Sequence, residues 1–148
     1  MKIEFQPIGV IHTPHTRTSD TPIQPSRAKG VRGTIELLAE YADGLDDLDG
    51  FSHIILLYHF HESSGYRLKV KPFLDSQVRG LFSTRAPWRP NPIGLSIVRL
   101  VEIAGCTLTV QDVDMLDRTP LLDIKPYVPE FDQHTDARLG WLESALKR

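Results

Sequence analysis

The sequence predicts a mainly β protein, a small β-barrel of about seven strands with a short C-terminal helix, in a single domain over residues 1–148. Short runs rich in β-branched and aromatic residues recur along the chain, and Gly, Pro and Asp turns separate them. The runs do not alternate with long helical patterns, so a barrel is favoured over repeated βαβ units. Closing the sheet would also remove its unpaired edges.

The strand candidates follow in chain order. They are the runs 3–12, 33–38, 51–61, 67–70, 78–83, 95–103, 107–113 and 121–128. The run 51–61 is the most apolar and is therefore predicted to be a central strand. Residues 39–48 favour one or two helical turns. Apolar residues at helical spacing between 136 and 147 predict the terminal helix.

Two loops carry most of the functional signal. Residues 12–26 form a polar, proline-punctuated loop of about 15 residues, a length typical of functional or disordered segments. Residues 83–96, STRAPWRPNPIGLS, place three prolines and two arginines between two apolar runs. Proline restricts its own backbone and that of the preceding residue, so this loop is predicted to be stiff. Its guanidinium groups and indole suit an anionic or planar ligand, the alternative being a solvated connection between strands.

Composition and charge limit the possible classes of function. With 41% hydrophobic and 24% charged residues, the chain has the composition of a soluble globular domain. No apolar run reaches the roughly 20 residues of a membrane span. The single cysteine, Cys106, favours a reducing compartment, so we expect a cytoplasmic protein without membrane association. The net charge is −2, yet seven of the eight charged residues between positions 66 and 99 are basic, which predicts either a local phosphate-facing patch or a solvated face.

Other chemistries have weaker support in the sequence. His59 and His61 share one face of a predicted strand and Glu62 follows, as in some metal centres, but no third ligand is evident and we expect no metal. Neither the P-loop pattern nor the G-x-G-x-x-G pattern occurs, so a Rossmann-type nucleotide site is not predicted. A metal-dependent enzyme remains the less favoured alternative.

A polar cluster near the C-terminus suggests proton transfer. Asp123, Lys125 and Tyr127 alternate along one predicted strand, so a carboxylate, an ammonium and a phenol would lie side by side. Asp117 opens a turn shortly before them. The alternatives are a structural polar ladder on the barrel exterior and the capping of turn N–H groups by aspartate.

Several motifs resemble the TrmO/YaeB/TsaA-like family over about residues 7–130. They are IGVI at 8–11, LDGFSH at 48–53, FSTR at 82–85, RPNPIGLS at 89–96, TP at 119–120 and DIKPY at 123–127. The resemblance implies a small β-barrel, usually a homodimer, that binds S-adenosylmethionine near the barrel mouth. It also implies methyl transfer to N6 of threonylcarbamoyladenosine beside the anticodon of transfer RNA.

The resemblance further implies which residues form the site. The implied cofactor contacts are Pro22, Ile23, Gln24, His61, Glu62, Arg85, Leu95, Gln111, Asp112, Val113 and Asp114. A base acting on the poorly nucleophilic acceptor nitrogen would be Asp117, or a pair formed by Lys125 and Tyr127. The side chains expected to face RNA phosphates are Arg67, Lys69, Arg79 and Arg89.

Three positions depart from the family motifs. Ile23 stands where the family has arginine, Glu62 where it has glutamine, and Arg118 within a D-G-T-P motif. The larger members also carry a further C-terminal region. These departures leave an alternative open, a regulatory module that binds S-adenosylmethionine or another small ligand without transferring a methyl group.

Overall fold

The computed structural model describes residues 1–18 and 28–147. Its strands are β1 Gly9–His12, β2 Arg32–Leu37, β3 His53–His59, β4 Lys69–Val70, β5 Arg79–Gly80, β6 Ile93–Ala104, β7 Thr107–Gln111 and β8 Thr119–Pro126. Its helices are the 3₁₀ helices Ala39–Leu45, Leu48–Gly50 and Leu81–Ser83, and the α-helices α1 Pro129–Asp132 and α2 Leu142–Leu146. Within these residues, no helix is long and apolar enough to cross a membrane.

Six strands of the described chain close into an antiparallel barrel in the order β1–β2–β7–β6–β3–β8. The predicted mainly β barrel is therefore confirmed. The strand number is six rather than about seven, because the runs 67–70 and 78–83 pair with each other as β4 and β5 outside the barrel. The central position predicted for the run 51–61 agrees with β3, which pairs with both β6 and β8.

Two elements are shorter than predicted. The first strand begins at Gly9, and the exposed side chains of Ile3 and Phe5 precede it without strand geometry. Pro7 lacks an N–H group, so it cannot donate a sheet hydrogen bond at this point. The predicted C-terminal helix is reduced to α2, because the residues from 136 to 141 make turns that include Gly140 with a φ of 56°.

The barrel interior is filled by aliphatic side chains. Buried and less buried residues alternate along β3 and along the first half of β6, as expected for strands that show one face to a core. The fully buried residues include Ile11, Ile35, Ile54, Leu56, Val98, Leu108, Val110 and Leu121. Each such side chain contributes about 1.5–3 kcal/mol when removed from water. A ligand therefore has to bind at an end of the barrel or on its outer wall.

The antiparallel connections place three long loops at one end of the barrel. Strands β1, β3 and β7 end there, and β2, β6 and β8 begin there. The connection between β1 and β2, of which residues 13–18 and 28–31 are described, therefore starts and finishes at the same end as loops 60–92 and 112–118. We call this end the loop end and refer to that connection as loop 13–31. The opposite end carries the turn at Gly105, whose φ is 61°, and the segment 38–52.

Candidate functional site

A chain of polar side chains that starts on two buried residues lies at the loop end where β3 meets β6. Tyr58 is directly opposite Gly94 in the strand register. A Cβ at position 94 would lie 2.3 Å from the Tyr58 ring, so the ring needs a glycine beside it. The Tyr58 hydroxyl lies 2.8 Å from Oγ of Ser96, the next inward-facing residue of β6. The glycine and the serine of the IGLS motif therefore form the place that this tyrosine occupies.

The polar chain ends on the carboxylate of Asp114, in the loop after β7. The Ser96 hydroxyl donates to Asp114 Oδ1 at 2.6 Å. Burial raises the pKa of Asp114 above its usual range. The Ser96 hydrogen bond, the backbone N–H of Asp114 and the charges of His15 and Arg85 lower this pKa, in that order. The site thus holds a carboxylate that burial disfavours and that donors and cations stabilise.

The hydrogen bonds of this chain have a defined direction. Burial, and then the charge of Asp114, raise the pKa of the Tyr58 phenol, which therefore keeps its proton. An ionised carboxylate accepts only, so Ser96 gives its single hydrogen to Asp114. Ser96 in turn accepts from Tyr58. The order Tyr58 to Ser96 to Asp114 polarises each bond toward the carboxylate.

The beginning of loop 13–31 is tied to the segment that contains Asp114. Thr13 N donates to Asp117 Oδ1 at 3.0 Å, and Thr13 Oγ1 donates to Met115 O at 2.8 Å. Asp117 N donates to His15 O at 2.7 Å. The buried His15 ring lies with Nε2 3.1 Å from Val113 O. The two loops therefore form one hydrogen-bonded unit at the barrel mouth.

The end of loop 13–31 is held by the same segment. Gly30 N donates to Asp112 Oδ1 at 2.7 Å, and Asp112 N donates to Val31 O at 2.8 Å. Asp112 adopts a φ of 75°, a conformation that aspartate tolerates better than most residues. Loop 112–118 thus anchors loop 13–31 at both its beginning and its end.

The predicted cofactor residues fall into several places. The residues Gln111, Asp112, Val113 and Asp114 lie together at the end of β7 and in loop 112–118. The residues His61 and Glu62 follow β3 at the loop end, with His61 Nε2 3.8 Å from Glu62 Oε1. The predicted contacts Pro22, Ile23 and Gln24 lie outside the described residues.

Arg85 and Leu95 differ sharply in their placement. Arg85 is exposed, and its positive charge acts on both Asp114 and Tyr58, as expected for a residue at the mouth. Leu95 lies on the outer wall of β6 and is 47% exposed, on the side of the strand opposite to Ser96. The mouth and Leu95 thus lie on different faces of β6, so a ligand in the mouth does not touch Leu95 of the same chain.

The structure separates Asp117 from the other predicted proton-transfer residues. Asp117 lies at the loop end, where its Oδ1 is also 3.4 Å from His12 Nδ1. Lys125, whose Nζ lies 2.9 Å from Asp123 Oδ2, and Tyr127, which packs edge-on against His53, lie at the far end of β8. The eight residues of β8 extend about 23 Å. Of the predicted bases, Asp117 alone shares an end with Asp114.

Arg89, one of the predicted RNA contacts, holds the proline loop. Its Nη1 donates to Thr84 O at 2.9 Å and to Ala86 O at 3.0 Å. Its guanidinium carbon also lies 5.8 Å from the centre of the Phe82 ring. The predicted stiffness of this loop therefore has a second source besides proline, since one arginine closes the turn from Thr84 to Ala86.

Arg79 likewise has partners within the chain. It forms an ion pair with Asp75, and this hydrogen bond lowers the pKa of Asp75. Its guanidinium carbon lies 5.8 Å from the Trp141 ring, whose Nε1 donates to Ser83 O at 2.9 Å. Arg67 and Lys69 are exposed.

The described residues of the mouth are polar and include one half-buried carboxylate, that of Asp114. Among residues 1–18 and 28–147, no three His, Cys, Asp or Glu side chains lie close enough to hold a metal ion. Sequence analysis missed Tyr58, Ser96, Thr13 and His15. The signal for the first two was a polar side chain at an inward position of an otherwise apolar strand.

Fold and site together define a class: a closed six-stranded β-barrel whose polar site lies in the mouth formed by three loops. The family model described as the tRNA-methyltransferase O N-terminal domain matches residues 10–133. The chain therefore belongs to the tRNA-methyltransferase O family, and the resemblance found in the sequence is confirmed.

Individual relatives agree with this assignment. The chain is 54% identical over 148 residues to a probable S-adenosyl-L-methionine-binding protein of Pyrococcus abyssi, covering 100% of this chain and 80% of the relative. It is 38% identical over 152 residues to the tRNA (adenine(37)-N6)-methyltransferase of Escherichia coli, covering 96% of this chain and 65% of the enzyme. The crystal structure of TrmO from Pseudomonas aeruginosa matches with a TM-score of 0.79 and 39% identity, covering 95% of this chain and 63% of that one. The chain thus spans less than two thirds of the two named enzymes.

Proposed function

We propose that the chain is an S-adenosylmethionine-dependent methyltransferase acting on transfer RNA, at N6 of threonylcarbamoyladenosine beside the anticodon. The observation that carries the proposal is the half-buried carboxylate of Asp114 in the mouth of the barrel, held by Ser96 within the implied cofactor segment 111–114. Membership of the tRNA-methyltransferase O family supports it. A relative of 38% identity is named a tRNA (adenine(37)-N6)-methyltransferase.

The residues of the mouth fit a cationic cofactor that carries a planar base. Asp114 supplies a carboxylate whose Oδ1 is held by Ser96, which leaves Oδ2 to face a positive ligand. Exposed Arg85 would hold the polar end of the cofactor. When bound, S-adenosylmethionine supplies an activated methyl group, so the protein mainly has to position the two reactants.

The acceptor nitrogen requires help because it is conjugated with the ring and the carbamoyl group. Asp117 is the base that best fits this role, since it lies at the loop end. Its Oδ1 accepts from Thr13 N, so Oδ2 would receive the proton. The alternative pair of Lys125 and Tyr127 lies at the opposite end of β8.

The RNA would approach over loop 60–92. Arg67 and Lys69 are exposed there and would contact phosphates, which makes binding dependent on salt. Arg79 and Arg89, which hold the loop, would contribute their charge from fixed positions. Exposed Trp88 would stack on an unpaired base.

We also propose a cytoplasmic homodimer of one domain per chain. The outer wall of β6 presents four aliphatic side chains that are 40–47% exposed, namely Ile93, Leu95, Ile97 and Val101. The outward side chains of Ile55 and Leu57 on β3 lie beside them. Pairing of this wall between two copies would bury it. In such a dimer, the side chain of Leu95 would reach the barrel mouth of the other copy, which would explain its implied contact with the cofactor.

A regulatory module that binds S-adenosylmethionine without methyl transfer is the second candidate. The Pyrococcus abyssi relative, 54% identical, is named for binding alone. Ile23, Glu62 and Arg118 also depart from the family motifs.

Calorimetry with S-adenosylmethionine tests the function that both candidates share. We expect binding in the micromolar range or tighter, weakened by Arg85→Ala and unchanged by Lys2→Ala, an exposed cation that precedes β1. Absence of heat with both the cofactor and its demethylated product would overturn both candidates.

A further inference from the structure

The Tyr58 hydroxyl has no role in the function proposed above, and the Ser96 hydroxyl enters it only through its hydrogen bond to Asp114 Oδ1. The two residues are 5% and 6% exposed, next to a barrel interior that is mostly aliphatic. Burying two hydroxyl groups is unfavourable unless both form hydrogen bonds, and aliphatic side chains would fill the same space without that requirement. The pair therefore points to a role at the group where its hydrogen bonds end, which is Asp114.

The inward face of β6 is built to hold this pair. Gly94, Ser96 and Val98 are its successive inward residues. Gly94 gives space to the Tyr58 ring, and Phe60 packs edge-on against the same ring with centroids 5.6 Å apart. With its ring held between β6 and Phe60, Tyr58 has its hydroxyl fixed at Ser96.

We propose that Ser96 and Tyr58 are positioning residues that hold the Asp114 carboxylate oriented toward the cationic cofactor in the mouth. The inference rests on the proposed function, because it assigns the ligand of Asp114. Ser96 binds Oδ1 at 2.6 Å and leaves Oδ2 for the ligand. Tyr58 donates to Ser96 and thereby turns the serine hydrogen toward Asp114.

Four elements place groups near Asp114 and determine how it titrates. They are Tyr58 on β3, Ser96 on β6, His15 in loop 13–31 and Arg85 in loop 60–92. The Ser96 hydrogen bond lowers the pKa of Asp114, so Ser96→Ala raises it further. Binding that needs the ionised carboxylate is lost as pH falls through this pKa. The acid limit of binding therefore moves to higher pH in the variant.

The test is calorimetry with S-adenosylmethionine and the full chain over a range of pH. Ser96→Ala should weaken binding roughly tenfold at neutral pH, since a hydrogen bond to a charged group is lost. Its acid limit should move to higher pH. Tyr58→Phe, which keeps the ring and its packing, should change both in the same direction by less. Val98→Ala on the same strand and Tyr41→Phe at the opposite end should change neither.

Unchanged affinity and an unchanged acid limit in folded Ser96→Ala and Tyr58→Phe would overturn the inference. If Ser96→Ala does not fold, Tyr58→Phe alone decides it. If the natural chain binds no S-adenosylmethionine, the proposed function fails. The ¹³C NMR titration of the Asp114 carboxyl then decides the positioning role: an upward shift in Ser96→Ala upholds it, and an unchanged titration overturns it.

Discussion

Gly94 shows how one residue determines the local geometry of the site. It lies opposite Tyr58 in the β3–β6 pair. The Cβ of any other residue at this position would overlap the Tyr58 ring. The constraint is close approach rather than an unusual backbone angle. The glycine in the motif is therefore explained by the tyrosine on the neighbouring strand.

Gly94→Ala should destabilise the chain by about 1–3 kcal/mol, because overpacking displaces side chains or backbone. The added Cβ would lie 2.3 Å from Tyr58 Cε2, 2.6 Å from Cζ and 2.9 Å from Phe60 Cζ. Thermal unfolding measures the change. Gly50→Ala is the matched control, since no atom lies within 4 Å of its added Cβ. Equal Tm values for the two variants would contradict the close approach.

Asp114→Asn should raise the Tm at neutral pH and abolish cofactor binding. Burial raises the pKa of Asp114 in the folded chain, so its contribution to stability is complete below the pKa of the unfolded chain. That contribution is lost as pH rises through the folded-state pKa. The gain in Tm from Asp114→Asn should therefore shrink as pH is lowered toward the unfolded value. A gain in Tm that grows on acidification would contradict a raised pKa of Asp114 in the folded chain.

At the scale of elements, loop 112–118 organises the mouth. It carries Asp114, and it anchors the beginning of loop 13–31 through Asp117 and the end through Asp112. The side chains of Asp112 and Asp117 do accept from backbone N–H groups, but these belong to Gly30 and Thr13 in a distant segment rather than to their own turn. The proposed role of Asp117 as a base uses its other oxygen.

Asp117→Ala should cost about 1–2 kcal/mol through the loss of its bond to Thr13 N. The amide hydrogens of residues 13–15 should exchange faster, while those of β3 keep their protection. Hydrogen exchange measured by mass spectrometry tests both statements. Asp49→Ala, an exposed aspartate in the segment 38–52, is the control. Unchanged exchange of the amide hydrogens of residues 13–15 would contradict the claim that loop 112–118 anchors them.

Elements were predictable from sequence where the signal is local. The strand predicted from the apolar run 51–61 and the break between the runs 95–103 and 107–113, where Gly105 makes a turn, needed no knowledge of distant residues. The sequence could not show which strands close the barrel. Strands β4 and β5 pair with each other in a separate sheet, and no local pattern distinguishes them from the barrel strands. The site shows the same division. Asp114 lies in the implied cofactor segment, whereas its bond to Ser96 joins residues 18 positions apart.

At the scale of the whole molecule, the outer wall of β3 and β6 remains apolar. In the described chain, this wall has its aliphatic side chains partly exposed on both strands. An exposed apolar wall of this kind is typical of a protein interface. An interface on this wall would also explain why Leu95, an implied cofactor contact, lies on the wall rather than in the mouth.

Ile97→Glu should convert the proposed homodimer into a monomer. The side chain is 44% exposed in the single chain, so the charge is tolerated there but would be buried in a dimer. Light scattering after size exclusion measures the mass. Thr107→Glu, on the outward face of β7, should leave the dimer intact. A monomeric natural chain, or a dimer unaffected by Ile97→Glu, would refute the interface.

Methyl transfer to RNA is the most direct test of the central claim. Transfer RNA from a strain that lacks the modification is incubated with the full chain and methyl-labelled S-adenosylmethionine, and the nucleosides are separated. We predict label at N6 of threonylcarbamoyladenosine with the natural chain and none with Asp114→Asn. Cofactor binding without label in any nucleoside would contradict a methyltransferase and leave the regulatory module.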